Sequence, residues 1–104
     1  IRIDMTLSIT ENNGTVTGIL NGRLDTAASA QFAKDMEPLM ENADKKIVLD
    51  FSKLEFISSS GLRLLLSLRK ATMAKGGSVT LKGVSPAVLQ VFTITGFNSL
   101  FIFE

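Results

Sequence analysis

The chain has 104 residues, 45% of them hydrophobic, and is close to charge balance, with 11 basic against 10 acidic side chains. That is enough apolar material for one packed domain over residues 1–104, and a mean hydropathy of +0.29 excludes a disordered chain. A net charge of +1 leaves no electrostatic footprint for nucleic acid, and the absence of Cys and His removes thiol chemistry, cysteine metal sites, and the commonest general base and metal ligand.

Residues 3–10 alternate, with Ile3, Met5, Leu7 and Ile9 on one side, which predicts a strand with one buried face. Asn12-Asn13-Gly14 is a hairpin signal, and Thr15–Leu20 reads as the antiparallel return strand. Asn21-Gly22-Arg23-Leu24-Asp25 is expected to break that strand. A helix capped by Asp25 or Thr26 follows to about Asn42, with Ala28, Phe32, Met36 or Leu39, and Ala43 near one face. Pro38 predicts a kink inside it or a late start of its last turn. Ile47–Phe51 is a continuous apolar run, the pattern of a central strand covered on both faces and ending near Asp50, with a short loop after it.

The next helix is expected from about Ser60 to Lys75, closed by Gly76-Gly77. Ser78–Lys82 is another strand. Ser85 caps a third helix with Pro86 in its first turn, Val88, Leu89 and Phe92 on its apolar side, and Gly96 at its end. Ser99–Phe103 is an edge strand or strand-like tail. The order β-β-α-β-α-β-α, with an optional last β, predicts an α/β fold: a mixed sheet of four to five strands with helices packed mainly on one face.

The segment Ser58-Ser59-Ser60-Gly61 stands where a helix begins, and a helix N-terminus welcomes negative charge. One serine suffices as a cap, so a neighbouring hydroxyl is left to face outward, and Gly61 is expected to leave it approachable by another protein. Along the helix, Arg63, Ser67, Lys70 and Ala74 form a narrow polar side. Leu62, Leu64, Leu65, Leu66, Leu68, Ala71 and Met73 cover the rest, a wider arc than core packing needs. Leu64 and Leu68 at its edge either pack beneath neighbouring helices or form a partner-binding ridge. Arg69 falls inside this arc and is expected to snorkel. Asp25 and Asp50 follow strand ends, but a carboxylate pair without His, Cys or a phosphate loop is weak evidence for catalysis. A binding module fits better than an enzyme, and no cofactor or metal is expected.

Gly22-Arg23-Leu24-Asp25, Ile47–Ser52, Phe56–Leu62, Gly76-Gly77 and Ser85-Pro86-Ala87-Val88 leading to Gly96-Phe97 together resemble the STAS domain, and more narrowly the bacterial anti-sigma-factor antagonists. The resemblance covers nearly the whole chain. It implies partner switching: an anti-sigma factor with serine kinase activity binds the unphosphorylated antagonist, phosphorylates it on the serine directly before the glycine, and a serine phosphatase resets it. That serine is Ser60 here, with Ser59 and Ser58 as alternatives. Asp25 matches an acidic position in the loop near the phosphorylation site. Taking the reading of the residues and the resemblance together, the expected partner surface comprises Asp25, Ser58, Ser59, Ser60, Gly61, Leu64 and Leu68, and Ser59 is expected to cap the helix.

The usual pattern, Asp-Ser-Ser-Gly or Asp-Ser-Thr-Gly, has its Asp replaced by Ser58, which removes one negative charge beside the acceptor. The chain carries no signal peptide and no apolar run of about 18 residues, so a cytoplasmic protein with no membrane association is expected. A free-standing protein is favoured by the motif and the ending at Glu104. The rival readings are a STAS module of a larger protein (an anion transporter or stress-signalling scaffold), a nucleotide-binding domain, and a lipid or small-ligand carrier.

Overall fold

The computed structural model describes residues 5–104. Strands β1 (Met5–Asn12) and β2 (Thr15–Leu24) form an antiparallel hairpin with Asn12 opposite Thr15. Its two-residue turn places Asn13 at φ 53° and Gly14 at φ 81°, the paired left-handed conformation that matches strand twist and that Asn-Gly tolerates. The expected start at Ile3 lies outside the described residues. Helices α1 (Thr26–Asp35) and α2 (Glu37–Glu41) are separated at Met36, with Pro38 in the first turn of α2, where its missing N–H costs nothing. Strand β3 (Lys46–Ile57), helix α3 (Ser59–Lys75), strand β4 (Ser78–Lys82), helix α4 (Pro86–Thr95), a 3₁₀ turn at Asn98–Leu100 and a short edge strand β5 (Ile102–Phe103) complete the chain.

The sheet order is β1-β2-β3-β4-β5, antiparallel at the first pair and parallel thereafter. Crossovers of one hand, taken stepwise along a sheet, deliver every helix to the same face. Burial shows that face directly. Val16 and Leu20 of β2, Ile47, Leu49 and Phe51 of β3, and Val79 and Leu81 of β4 all point into the core. Between them Thr15, Thr17, Ile19, Val48 and Asp50 of β2 and β3 are only half-buried, whereas Thr80 of β4 is buried. The expectation that β3 is covered on both faces is therefore corrected: its apolar run alternates like a one-sided strand, and Val48 lies on the open face. The helices and the Met36 junction between α1 and α2 contribute Phe32, Met36 and Leu39, then Leu62, Leu65 and Leu68, then Val88 and Phe92 to a single core.

The expected last strand from Ser99 shrinks to Ile102–Phe103, its start being taken up by the 3₁₀ turn. Two further boundaries differ by more, and one cause explains both. Strand β2 does not break at Asn21 but continues to Leu24, and β3 does not end near Asp50 but continues to Ile57. Along this extension the pairing slips twice, between Ile19 and Asn21 and between Gly22 and Arg23, and β3 takes up one extra residue each time. The slips change the inward spacing of β3 from two to three, so that Phe51, Leu54 and Ile57 all face the core. A strand read by alternation stops where the bulges begin.

Candidate functional site

The bulged extension of β3 brings the serine turn against the end of β2. The Ser58 N–H donates to the Leu24 carbonyl at 2.8 Å, which ties the start of α3 to the start of α1. Gly61 completes this seam. A Cβ built on it would lie 2.7 Å from Leu24 Cγ and 2.9 Å from Leu24 Cδ2, so only glycine lets the first turn of α3 lie on β2. Gly61 is buried, which corrects the expectation that it opens the serines to a partner. Its role is inward.

Ser58, not Ser59, caps α3. Its backbone is extended, at φ −89° and ψ 167°, and its Oγ accepts the Gly61 N–H at 3.1 Å. The departure from the Asp-containing pattern is thus structurally mild, since Asp and Ser cap helices about equally well. What changes is charge. Ser59 stands exposed on the first turn and Ser60 is half-buried.

The Ser60 hydroxyl lies 3.0 Å from Ser58 Oγ, 3.2 Å from Ser29 Oγ and 3.4 Å from Thr26 Oγ1. The last two belong to the first turn of α1, so four hydroxyls from two helix starts meet in one seam. Ser29 is buried at 8% exposure and also donates to the Asp25 carbonyl at 2.9 Å. Asp25 itself caps α1, its Oδ1 accepting the Ala28 N–H at 2.8 Å. The carboxylate serves its own helix, and it is the Asp25 carbonyl that reaches the hydroxyl cluster, through Ser29.

Of the remaining predicted residues, Leu64 is half-buried and packs against the core cluster, leaving part of its side chain outward. Leu68 is fully buried at 0% exposure, so it offers no surface to a partner and is removed from the candidate site. The apolar arc of α3 is sorted by its neighbours: Leu62, Leu65, Leu68 and Thr72 form the inner stripe, whereas Met73 is 64% exposed. Arg69 donates its Nε–H to the Leu100 carbonyl beyond the helix, in keeping with its snorkelling role.

Asp50 is not brought to Asp25 or the serines. It lies seven residues before Ile57 on β3, roughly 20 Å away along a strand, and its register partners are Ile19 and Lys82. Hydrogen bonds from the Ser52 side chain and backbone hold its carboxyl below the usual range, assisted by Lys82 and Lys53.

Residues absent from the sequence reading also edge the site. Thr26 and Ser29 join it from α1, a pairing readable once Asp25 is the cap, because positions one and four of a helix share a face. The Arg23 guanidinium stacks over the Phe56 ring at 4.7 Å, beside the seam, and Phe56 is 37% exposed. This contact depends on the bulge that sets Arg23 opposite Phe56, which local pattern does not reveal.

Comparison with known proteins fits this architecture. The STAS domain model matches residues 6–104. A candidate anti-sigma factor antagonist of Bordetella bronchiseptica, BtrV, is 31% identical over 97 residues, covering 93% of this chain and 84% of the relative. The crystal structure of a candidate anti-sigma factor antagonist from Thermotoga maritima superposes with a TM-score of 0.83 at 21% identity, covering 93% of this chain and 84% of that one. The Bacillus protein SpoIIAA, an anti-sigma factor antagonist, is 25% identical in both solved forms. Its unphosphorylated form has a TM-score of 0.76, covering 95% of this chain and 88% of its own, and its phosphorylated form has a TM-score of 0.70, covering 95% and 91%. With a family match across almost its whole length and a serine seam built at the start of α3, the chain belongs to the STAS domain family.

Proposed function

We propose that this chain is an anti-sigma factor antagonist that acts by partner switching in the cytoplasm. Unphosphorylated, it binds an anti-sigma factor with serine kinase activity and so frees a sigma factor. Phosphorylation of Ser60 ends that binding, and a serine phosphatase restores it. The observation that carries this reading is the seam itself: the cap Ser58 and the first-turn Ser60 of α3 meeting the hydroxyls of α1, in a chain similar to SpoIIAA, which has been solved with and without phosphate. The partner surface is formed by Asp25, Ser58, Ser59, Ser60 and the outer part of Leu64. Among the described residues no helix is long and apolar enough to cross a membrane.

The energetics favour a switch at the interface over one that unfolds the domain. A phosphate brings a charge of about −1.5 to −2 at neutral pH. At a helix N-terminus that charge is stabilising by about 0.3–1 kcal/mol, so the fold survives. Burying it unpaired against a partner costs several kcal/mol, which is about a thousandfold in affinity.

The test is mass spectrometry of the protein from its own host, with the phosphate localised among Ser58, Ser59 and Ser60, followed by capture of the anti-sigma factor. Ser60→Ala should bind constitutively, and Ser60→Asp should lose binding by about a hundredfold or more. Equal binding by parent and Ser60→Asp would sink the proposal. The exposure of Ser59 supports one second reading, transfer to Ser59, which site localisation distinguishes at once.

A further inference from the structure

The acceptor proposed above is not a free hydroxyl, and its proton can be traced. Each serine has one proton to donate. The Ser29 proton is committed to the Asp25 carbonyl at 2.9 Å, so Ser60 faces two acceptors on α1, Ser29 Oγ at 3.2 Å and Thr26 Oγ1 at 3.4 Å, and the shorter contact makes Ser29 the nearer acceptor for its one proton. With the Ser60 proton directed at these α1 hydroxyls, the 3.0 Å contact with Ser58 runs the other way: Ser58 donates to Ser60 while accepting the Gly61 N–H at 3.1 Å. The chain therefore reads Ser58 to Ser60 to Ser29 to the Asp25 carbonyl. It ends on a backbone acceptor that cannot turn away, the carbonyl of the N-cap residue itself.

We propose that Ser29 is a positioning residue that holds the Ser60 hydroxyl in the α1–α3 seam and so sets how readily Ser60 accepts a phosphoryl group. Ser29 is 8% exposed and reaches no incoming group itself; it acts through Ser60. In the held state the Ser60 proton points at α1 and one of its lone pairs is occupied by Ser58. Transfer from a nucleoside triphosphate carried by the kinase requires the Ser60 oxygen to form a bond to the γ-phosphorus. The bond from that phosphorus to the bridging oxygen breaks, the nucleoside diphosphate leaves, and the Ser60 proton passes to a base of the kinase or to solvent. All of this needs the hydroxyl turned outward, so the contact with Ser29 is broken before transfer. Once phosphorylated, Ser60 has no proton left for Ser29, and the phosphoryl group stays outside the seam.

This inference rests on Ser60 being the acceptor, and the experiment separates the two. Scalar couplings across the Ser60 χ1 bond, measured by NMR on the purified chain, should report one rotamer in the parent and averaging in Ser29→Ala, with Ser29→Thr restoring the single rotamer through its hydroxyl. The initial rate of Ser60 phosphorylation by the captured kinase and ATP, quantified by mass spectrometry, should rise about fivefold in Ser29→Ala, the value of one neutral hydrogen bond. An unchanged rotamer distribution in Ser29→Ala overturns the inference, as does a Ser60 phosphorylation rate indifferent to Ser29. No phosphate on Ser60 in any of the chains overturns the acceptor assignment, and with it this inference. Ala is a good helix former, so the variant is expected to fold.

Discussion

Two regions of this molecule are held together by different means. Under β4 and β5, Phe92 of α4 is fully buried, with the rings of Phe101 and Phe103 each 5.5 Å away and nearly perpendicular, and that of Phe51 at 6.3 Å. At the start of α3 the contacts are hydroxyls, each with one proton and a choice of partner. The aromatic knot draws its strength from area and edge-to-face contact, which no change of protonation or modification nearby alters much. The serine seam is worth far less in energy, but a single covalent change there rewrites who donates to whom. Stability sits in one region, and the proposed switch in the other.

Substitutions at Phe92, at Gly61 and at the serine cap break or sharpen that contrast. Phe92→Ala should cost about 3–5 kcal/mol of stability by urea denaturation, because the cavity would abut three other rings. It should leave the Ser60 rotamer of the still-folded fraction unchanged. A loss below about 1 kcal/mol would break the comparison. Gly61→Ala comes next, at about 1–3 kcal/mol, since its methyl has no room beside Leu24 and the first turn of α3 must lift. That would show the seam to contain one rigid apolar contact among its soft polar ones, and a neutral result would mean that α3 shifts freely. The smallest effect is expected at the cap. Ser58→Ala should cost about 0.5–2 kcal/mol, whereas Ser58→Asp, another good cap, should be close to neutral. If Ser59→Ala proved the costlier of the two serine truncations, the cap assignment would be wrong.

The fold was legible in the sequence where each element speaks for itself. The Asn13-Gly14 turn, the caps at Asp25 and Ser85, the left-handed ends at Gly76 and Gly96, and the one-sided packing of the helices all follow from residues read within one turn or strand of each other. The extension of β3 was not legible, because bulges replace the alternation by which a strand is read, and a spacing of three between Phe51, Leu54 and Ile57 imitates no strand. The choice among three serines also escaped, since any of them caps a helix equally well in isolation. Position decides it: Ser58 is the residue tied to the Leu24 carbonyl. Leu68 was ambiguous for a similar reason, because the arc of leucines on α3 is wider than core packing needs and only contact with the core sorts them. Ser29 carries no motif at all; its part in the site exists because β2 and β3 place the starts of α1 and α3 side by side.

The two surplus residues in β3 turn chain length into information. Lys53 and Glu55 along that stretch are exposed and make no hydrogen bond that the fold depends on, so substitutions there should be tolerated. Deletions should not be. Removing one residue would shift every following side chain by one register step, exchange inward for outward, and carry the serine turn away from Leu24. Mutational scans of this segment should therefore show a region permissive to replacement and intolerant of gaps, a pattern that marks it as a spacer of fixed count.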